Sequence, residues 1–542
     1  MRSYKLASFV AATALSLSVV ACNNDKLTSI NTDPNNPTDA PAGALFTNAT
    51  VTSVQRWLGG GYNLRVAQFL VQFQTEDQYS DEDRYVRFDA TSTAGFMTTA
   101  YSSELADLNR VIQKGIASAA PGIYGPARVV TAWDFSFITN TFGDVPYSEA
   151  LQGDSAKFSP KYDAQQDIFT DLFAKLTAAS TAMNAEPTNA PLGSNDPIYG
   201  GVESKWVKFA NSLRARLAIQ IINVAPAKAG TELTAALSAP GGVFTSNADN
   251  AKITWPGDGI FNNGWSDFFK TRDDNRMSAQ FLNLLIGLND PRITVFAQPA
   301  TKTLVGCKTG TPAGCTAPAA AFVPLQGTFG GNSYFGEPNG LTTADATSWN
   351  SASRIGAMFF PGATAYGTFG GQGAKAPSYI MTYAEIAFIK AEAANRGLAG
   401  LTAGMAAGFY NDGITASLNQ WGVTDGATIA AYLAGPGVAY TPGTAGLLRI
   451  AQQKYIALFG DAGTAWTEWR RTCVPVTVKA GPAAQINTVP RRLMYASNEF
   501  SVNAASVNAA IAAQGPDLFQ TRTWFDKAPT VAPTYTAGCN AP

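Results

Sequence analysis

The sequence predicts a mainly α-helical fold interrupted by one long loop-rich insertion, on three observations. Trp206, Phe209, Ala210, Leu213, Leu217 and Ile221 recur every three or four residues, with Lys208, Asn211 and Arg214 between them. That is the stripe of a helix with one buried and one wet side. Helix starts near 62, 96, 124, 164 and 204 recur at intervals of roughly 28 to 40 residues, around the 34-residue period of tetratricopeptide helix pairs. The period is irregular and the signature residues are incomplete, so spacing alone does not establish a repeat. From about 236 to 375 the texture changes to Gly, Asn, Thr and aromatics, with a short helix only around Ala279–Leu288.

In chain order, Arg2 and Lys5 precede an uncharged apolar run from Leu6 to Ala21. The run is short for a membrane span and has the proportions of a secretory signal. Val19-Val20-Ala21-Cys22 looks like a bacterial lipobox, in which Cys22 is acylated and becomes the mature N-terminus. An ordinary signal peptide with an incidental cysteine is the plainer reading. The Asn/Asp run after Cys22 favours the lipoprotein. Acyl chains then tether the protein without spanning, each buried methylene contributing about 0.8 kcal/mol. Residues 22–40, rich in Asn, Asp and Pro, read as a flexible tether. Helices are expected from Pro41 to Trp57, Leu64 to Phe73, and Phe96 to Ile116. Tyr124 to Phe142, apolar on nearly every face, predicts a helix buried on several sides, ended by Gly143-Asp144-Val145-Pro146. Further helices are expected over Ala164–Met183, through the Trp206 stripe, from Ile380 to Ala391, over Leu447–Phe459, around Trp466 and Trp469, and over Asn503–Gln514. The expected organisation is a signal peptide (1–21), a tether (22–40) and one domain (41–542). That domain divides into a helical part (41–235), the insertion (236–375) and a C-terminal helical part (376–542).

Composition excludes much chemistry. Basic and acidic residues nearly cancel, 38 against 39, so there is no basic footprint for nucleic acid. Histidine is absent, which removes Ser-His-Asp and Cys-His catalysis and histidine-based zinc sites. Hydrolysis by a carboxylate pair needs no histidine and stays open, although no pair stands out. Phosphate-loop and dinucleotide motifs are missing. Asp81-Glu82-Asp83 and Asp273-Asp274-Asn275 carry oxygens that suit calcium, but neither fits the twelve-residue loop pattern and solvated charge clusters are expected. No metal and no cofactor is expected. After Cys22, four cysteines remain in an oxidising compartment, and Cys307–Cys315 with Cys473–Cys539 is the preferred pairing among three. The chemical signal left is aromatic rings in polar loops, which suit stacking on sugar rings. On that basis alone Tyr79, Tyr85, Trp255, Trp265 and Trp349 are the candidate binding residues, against the plain reading that each such ring is core.

Several blocks together resemble the SusD/RagB family of outer-membrane nutrient-binding lipoproteins. They include ARVVTAWDFSFITNTFGDVPYSEAL (127–151), SKWVKFANSLRARLAIQI (204–221), DDNRMSAQFLNLLIGLNDPRI (273–293), SYIMTYAEIAFIKAEAANRG (378–397) and AQQKYIALFGDAGTAWTEWRRT (451–472). The resemblance spans nearly the whole mature chain. It implies a SusD-like superhelix of tetratricopeptide-like pairs with loop-rich insertions forming the ligand face. It also implies a non-enzymatic, cell-surface protein of a Gram-negative bacterium that delivers oligosaccharide, or in some members peptide, to a SusC-like TonB-dependent transporter. Its matching motifs are structural: Gly143, Asp144, Pro146 and Tyr147 at a helix–loop junction, and Trp469, Arg470 and Arg471 fixing the last helix pair through carbonyls or carboxylates. A surface glycoside hydrolase is the competing reading.

Overall fold

A computed structural model describes residues 40–185, 191–309, 314–360 and 373–526. Cys22, the signal and the tether before Ala40 lie outside the described residues, as does Cys539. Among the described residues no helix is long and apolar enough to cross a membrane.

The N-terminal half stacks helices, most of them against their neighbours in sequence. Helix α1 is Ala42–Leu58, α2 Ala94–Ser102, α3 Glu104–Ala117, α4 Pro121–Phe142, α5 Gln165–Ala185, α6 Glu203–Gln220 and α7 Pro226–Leu237. Successive pairs α3–α4, α4–α5, α5–α6 and α6–α7 pack together, and α1 returns onto α3. Each helix buries one stripe against the next, which is how repeat pairs build a continuous core. Helix α4 is the central one: Val129, Val130, Trp133, Phe137 and Ile138 are all buried. Gly143 ends it at φ +87, where a Cβ would collide with the Gln514 side chain. The next residue, Asp144, accepts the Gln165 N–H (2.8 Å) and so caps α5, while its carbonyl accepts the Tyr495 hydroxyl (2.8 Å). The turn therefore ties α4, α5 and the C-terminal segment together.

Differences from the expected elements have local causes. The helix expected over 96–116 breaks at Ser103, and Glu104 starts α3 with its buried carboxylate paired to Arg56. The segment expected to be helical from Ile380 begins as a strand, Ser378–Met381, paired antiparallel with Ala251–Ile253. Only then does Thr382 cap α8, Tyr383–Asn395. Neither α7 nor the helices α9 (Ala406–Gln420) and α10 (Gly426–Leu433) were legible, because glycine and alanine dilute their apolar stripes.

Helices α11 (Thr444–Ala457) and α12 (Ala462–Thr472) close the core. Arg470 donates to the carbonyls of Asn140 (2.6 Å) and Arg491 (2.8 Å), and its guanidinium lies 3.7 Å from the Trp466 ring centre. Arg471 grips both oxygens of Glu392 (2.7 and 2.8 Å) and one of Glu468 (2.6 Å). A disulfide joins Cys307 to Cys315 across 5.5 Å between Cα atoms. Cys473 is disulfide-bonded as well.

Candidate ligand-binding site

A two-stranded ribbon carries the site. Gln74–Glu76 pairs antiparallel with Asn275–Met277, and the Asp77 N–H continues the ladder to the Asp274 carbonyl (2.9 Å). From this end the chain diverges into two loops, 77–93 and 268–274. With residues 350–354 they surround an open cavity of about 720 Å³.

Tyr79 stands on the rim at φ +55 with 67% of its surface exposed. Arg272 lies between two rings, 5.9 Å from the centre of Tyr79 and 5.1 Å from that of Phe268. Each guanidinium of the site meets a carboxylate: Arg272 with Asp274, Arg354 with Asp273, and Arg276 with Asp77 (2.8 Å). Arg276 also donates to the carbonyls of Asp273 (2.8 Å) and Asn350 (3.2 Å), which fixes both loops to the ribbon. Three arginines face three aspartates, so the cavity is lined by dense donors and acceptors whose formal charges cancel. A flat exposed ring beside such a surface suits a neutral polyhydroxyl ligand better than a charged polymer.

Asp77 in the cavity wall belongs to a group of buried acids with Glu76, Asp83 and Glu337. Burial pushes Asp77 up to about 6, against the pull of Arg276. It likewise raises Asp83 to about 6, even though the Asn339 amide, the Gly340 N–H and the Thr75 hydroxyl donate to it at 2.6–2.8 Å. Glu76 and Glu337 are driven well above the carboxylate range, first by burial and then by neighbouring acids. Neither oxygen of Glu337 has a hydrogen-bond partner, so the residue is buried as the neutral acid.

Of the five ring residues picked from sequence, only Tyr79 faces solvent at this cavity. The other four are corrected to core, with 1–2% exposure. Tyr85 packs beside Phe88 behind the loop. Trp255 donates to the Ser378 hydroxyl (2.9 Å), Trp265 to the Leu58 carbonyl (2.8 Å) and Trp349 to the Thr316 carbonyl (2.9 Å). Each indole N–H thus finds a partner inside, and loops with enough apolar mass build their own core. The acidic clusters differ from the solvated picture too. Glu82 pairs with Arg65, Asp83 is buried, and Asp273 and Asp274 are held by arginines. Among the described residues no group of three or more His, Cys, Asp or Glu could hold a metal ion. Sequence reasoning missed Arg272, Arg276 and Arg354. The signal for the first two was the Arg-Asp alternation of TRDDNRM (271–277), whose charges answer one another.

A SusD-like family profile, described as starch-binding and associating with the outer membrane, matches residues 34–496. No curated protein sequence matches the chain. Among solved structures, a chitin-binding protein is 27% identical with a TM-score of 0.74, over 90% of this chain and 100% of its own. A chitin-binding SusD homologue from Flavobacterium johnsoniae is 24% identical with a TM-score of 0.71, over 90% of this chain and 98% of its own. A SusD homologue from Bacteroides uniformis, also 24% identical at a TM-score of 0.71, covers the same 90% and 100% of its own chain. The last two are similar in fold.

Proposed function

The chain belongs to the SusD-like family, and from that premise we propose that it is a cell-surface lipoprotein that binds an oligosaccharide at the Tyr79 cavity. It passes the ligand, uncleaved, to a SusC-like TonB-dependent transporter. The observation that carries the ligand class is Tyr79 itself: an exposed ring beside charge-paired Arg272 and Arg354, with Gln78 and Asn350 on the same wall. Chitin-type oligomers are the first candidates, since the relative at 27% identity is named as a chitin binder. The anchor at Cys22 keeps the protein at the membrane.

A binding role without hydrolysis is supported by where the protonated acids sit. Asp77 has a pKa fit for a general acid, yet it is buried and salt-bridged to Arg276. Asp77 lines the cavity wall, but its side chain is 1% exposed and committed to Arg276, which speaks against its donating a proton to a bound sugar. Calorimetry with chitohexaose and maltoheptaose, followed by product analysis, tests the reading. Saturable binding of one oligomer with no shorter product is expected, weakened about 2- to 10-fold by Tyr79→Ala, as loss of a stacking contact of about 0.5–1.5 kcal/mol implies. A ladder of shorter sugars, or no binding across a broad glycan array, overturns it. Cys22→Ala should move the protein from the membrane to the soluble fraction with its fold intact.

A further inference from the structure

The wall of the Tyr79 cavity formed by residues 350–354 is anchored differently at its two ends. The Arg354 end is built onto the ribbon. There the Ser353 carbonyl accepts the Met277 N–H (2.8 Å), its N–H donates to the Phe335 carbonyl (2.9 Å), and the Arg354 carbonyl accepts the Gln298 N–H (2.9 Å). The Asn350 end leans instead on the chain around two cysteines. The Ser348 carbonyl accepts the Cys315 N–H (3.3 Å), the Ser348 hydroxyl accepts the Thr316 N–H (2.7 Å), and the Trp349 indole donates to the Thr316 carbonyl (2.9 Å). The Ser351 hydroxyl donates to the Cys307 sulfur (3.1 Å). The Ser351 carbonyl accepts the N–H of Thr301 (3.0 Å), which lines the cavity too. Asn350, between these contacts, offers its carbonyl to Arg276, the guanidinium that ties both ligand loops to the ribbon (3.2 Å).

These contacts have little behind them except the cross-link. Cys307, Cys315, Phe335, Leu341, Trp349 and Ala352 belong to a small apolar cluster apart from the main core. Residues 314–326 contain no helix or strand, and Thr316 to Ala320 are exposed. Such a segment has many conformations of similar energy, and a few hydrogen bonds near the surface contribute too little to select one. The disulfide removes that freedom, holding the Cα atoms of Cys307 and Cys315 at 5.5 Å. Gly314 then lies so close to the Cys307 carbonyl that no Cβ would fit between them. We infer that the Cys307–Cys315 disulfide is a positioning element of the saccharide site, holding the Asn350 side of the wall in its binding geometry. This rests on the reading of the Tyr79 cavity as that site. Opening the disulfide takes two electrons and two protons from a dithiol, which closes into its own cyclic disulfide, and leaves two thiols that can separate. Binding must then re-order the wall, and affinity falls.

The experiment uses the full chain, with chitohexaose and maltoheptaose as probes. Calorimetry compares the oxidised protein, the protein reduced with dithiothreitol, and the Cys307→Ser/Cys315→Ser double variant. Reduction should weaken binding about 3- to 10-fold, the cost of re-ordering one or two residues on binding. The double variant should bind at the weakened level with or without dithiothreitol, which separates this disulfide from the one at Cys473. Reoxidation of the wild type should restore the full affinity. Hydrogen exchange supplies a readout that needs no ligand. After reduction the amides of Thr301, Cys315 and Thr316 should exchange about 10-fold faster or more, while those of Met277 and Ser353 stay protected. The inference is overturned if affinity survives reduction unchanged, or if the double variant matches the oxidised wild type. It is overturned equally if Met277 and Ser353 loosen as much as Thr316, since the cross-link would then hold the fold at large. Where the oxidised protein binds neither oligomer, the saccharide reading is what fails, and the exchange pattern alone decides whether the disulfide positions the wall.

Discussion

Around α12, Arg471 is buried between Glu392 and Glu468, while under the Tyr79 loop Asp77 and Glu337 are buried near the buried guanidinium of Arg276, and Glu76 lies among Glu82, Asp83 and Asp274. The two regions are equally dry and differ in stoichiometry. At α12, burial alone would raise Glu392, but Arg471 and Arg396 outweigh it and hold its carboxyl far below the usual range. At the ribbon, acids outnumber the cation, so burial wins and they are held neutral or poised near 6. Paired charge locks α12, which packs against α1, α4, α6 and α11. Under-paired charge sits beneath the loops that carry the ligand face.

Breaking the paired side should cost most. Arg471→Met leaves two carboxylates buried without their partner, and chemical denaturation should register a loss of about 3–5 kcal/mol. A loss below about 1 kcal/mol would mean that Lys454 and Arg396 suffice to hold those acids.

Next comes the pH dependence, where the two regions should run in opposite directions. Asp77 has a folded pKa of about 6 against an ordinary 3.8. Its contribution is therefore complete below 3.8 and lost as the pH rises through 6. Relative to Asp77→Asn, the wild type should lose about 1–3 kcal/mol between pH 4 and pH 7, since each tenfold change in proton affinity is worth about 1.4 kcal/mol. Glu392, with its depressed pKa, contributes stability present above 4.5 and lost only as the pH falls through its folded value. Denaturation midpoints across pH 3–8 for the wild type, Asp77→Asn and Glu392→Gln separate the regions. Parallel curves would remove the distinction.

Glu337→Gln sharpens the contrast further. Because folding at pH 7 must protonate a residue that ordinarily holds its proton only below 4.5, Glu337→Gln should stabilise the protein at pH 7, by up to about 3 kcal/mol. A large loss would place an ionised, paired carboxylate there instead. The smallest stability effect is expected at Tyr79→Ala, within about 0.5 kcal/mol for an exposed ring. Saccharide affinity should still fall about 2- to 10-fold, a split between stability and binding that Trp265 or Trp349 cannot show.

How far the sequence could be read follows the same physics. Helix α4 and the Trp206 stripe of α6 were legible because a period of 3.6 needs only nearest neighbours on one face. The roles of the Gly143 turn and of the arginine pair of α12 came through the family resemblance, since their partners lie far along the chain, Asn140 standing 330 residues from Arg470. Tyr79 and Trp265 were indistinguishable on paper, each an aromatic in a polar loop. What separates them is a carbonyl 207 residues away that accepts the Trp265 N–H, against a guanidinium that leaves one face of Tyr79 open. The tie between the disulfide and the cavity wall had no sequence signature at all, since Cys307 and Ser351 lie 44 residues apart.

By itself, then, the sequence determined the helical class, the most strongly patterned helices and the family, because local periodicity and capping are short-range properties of the chain. Tertiary structure decided which rings face solvent, which carboxylates keep their protons and where the ligand cavity opens. Burial and charge balance are sums over residues far apart in sequence, and only the folded chain carries out that sum.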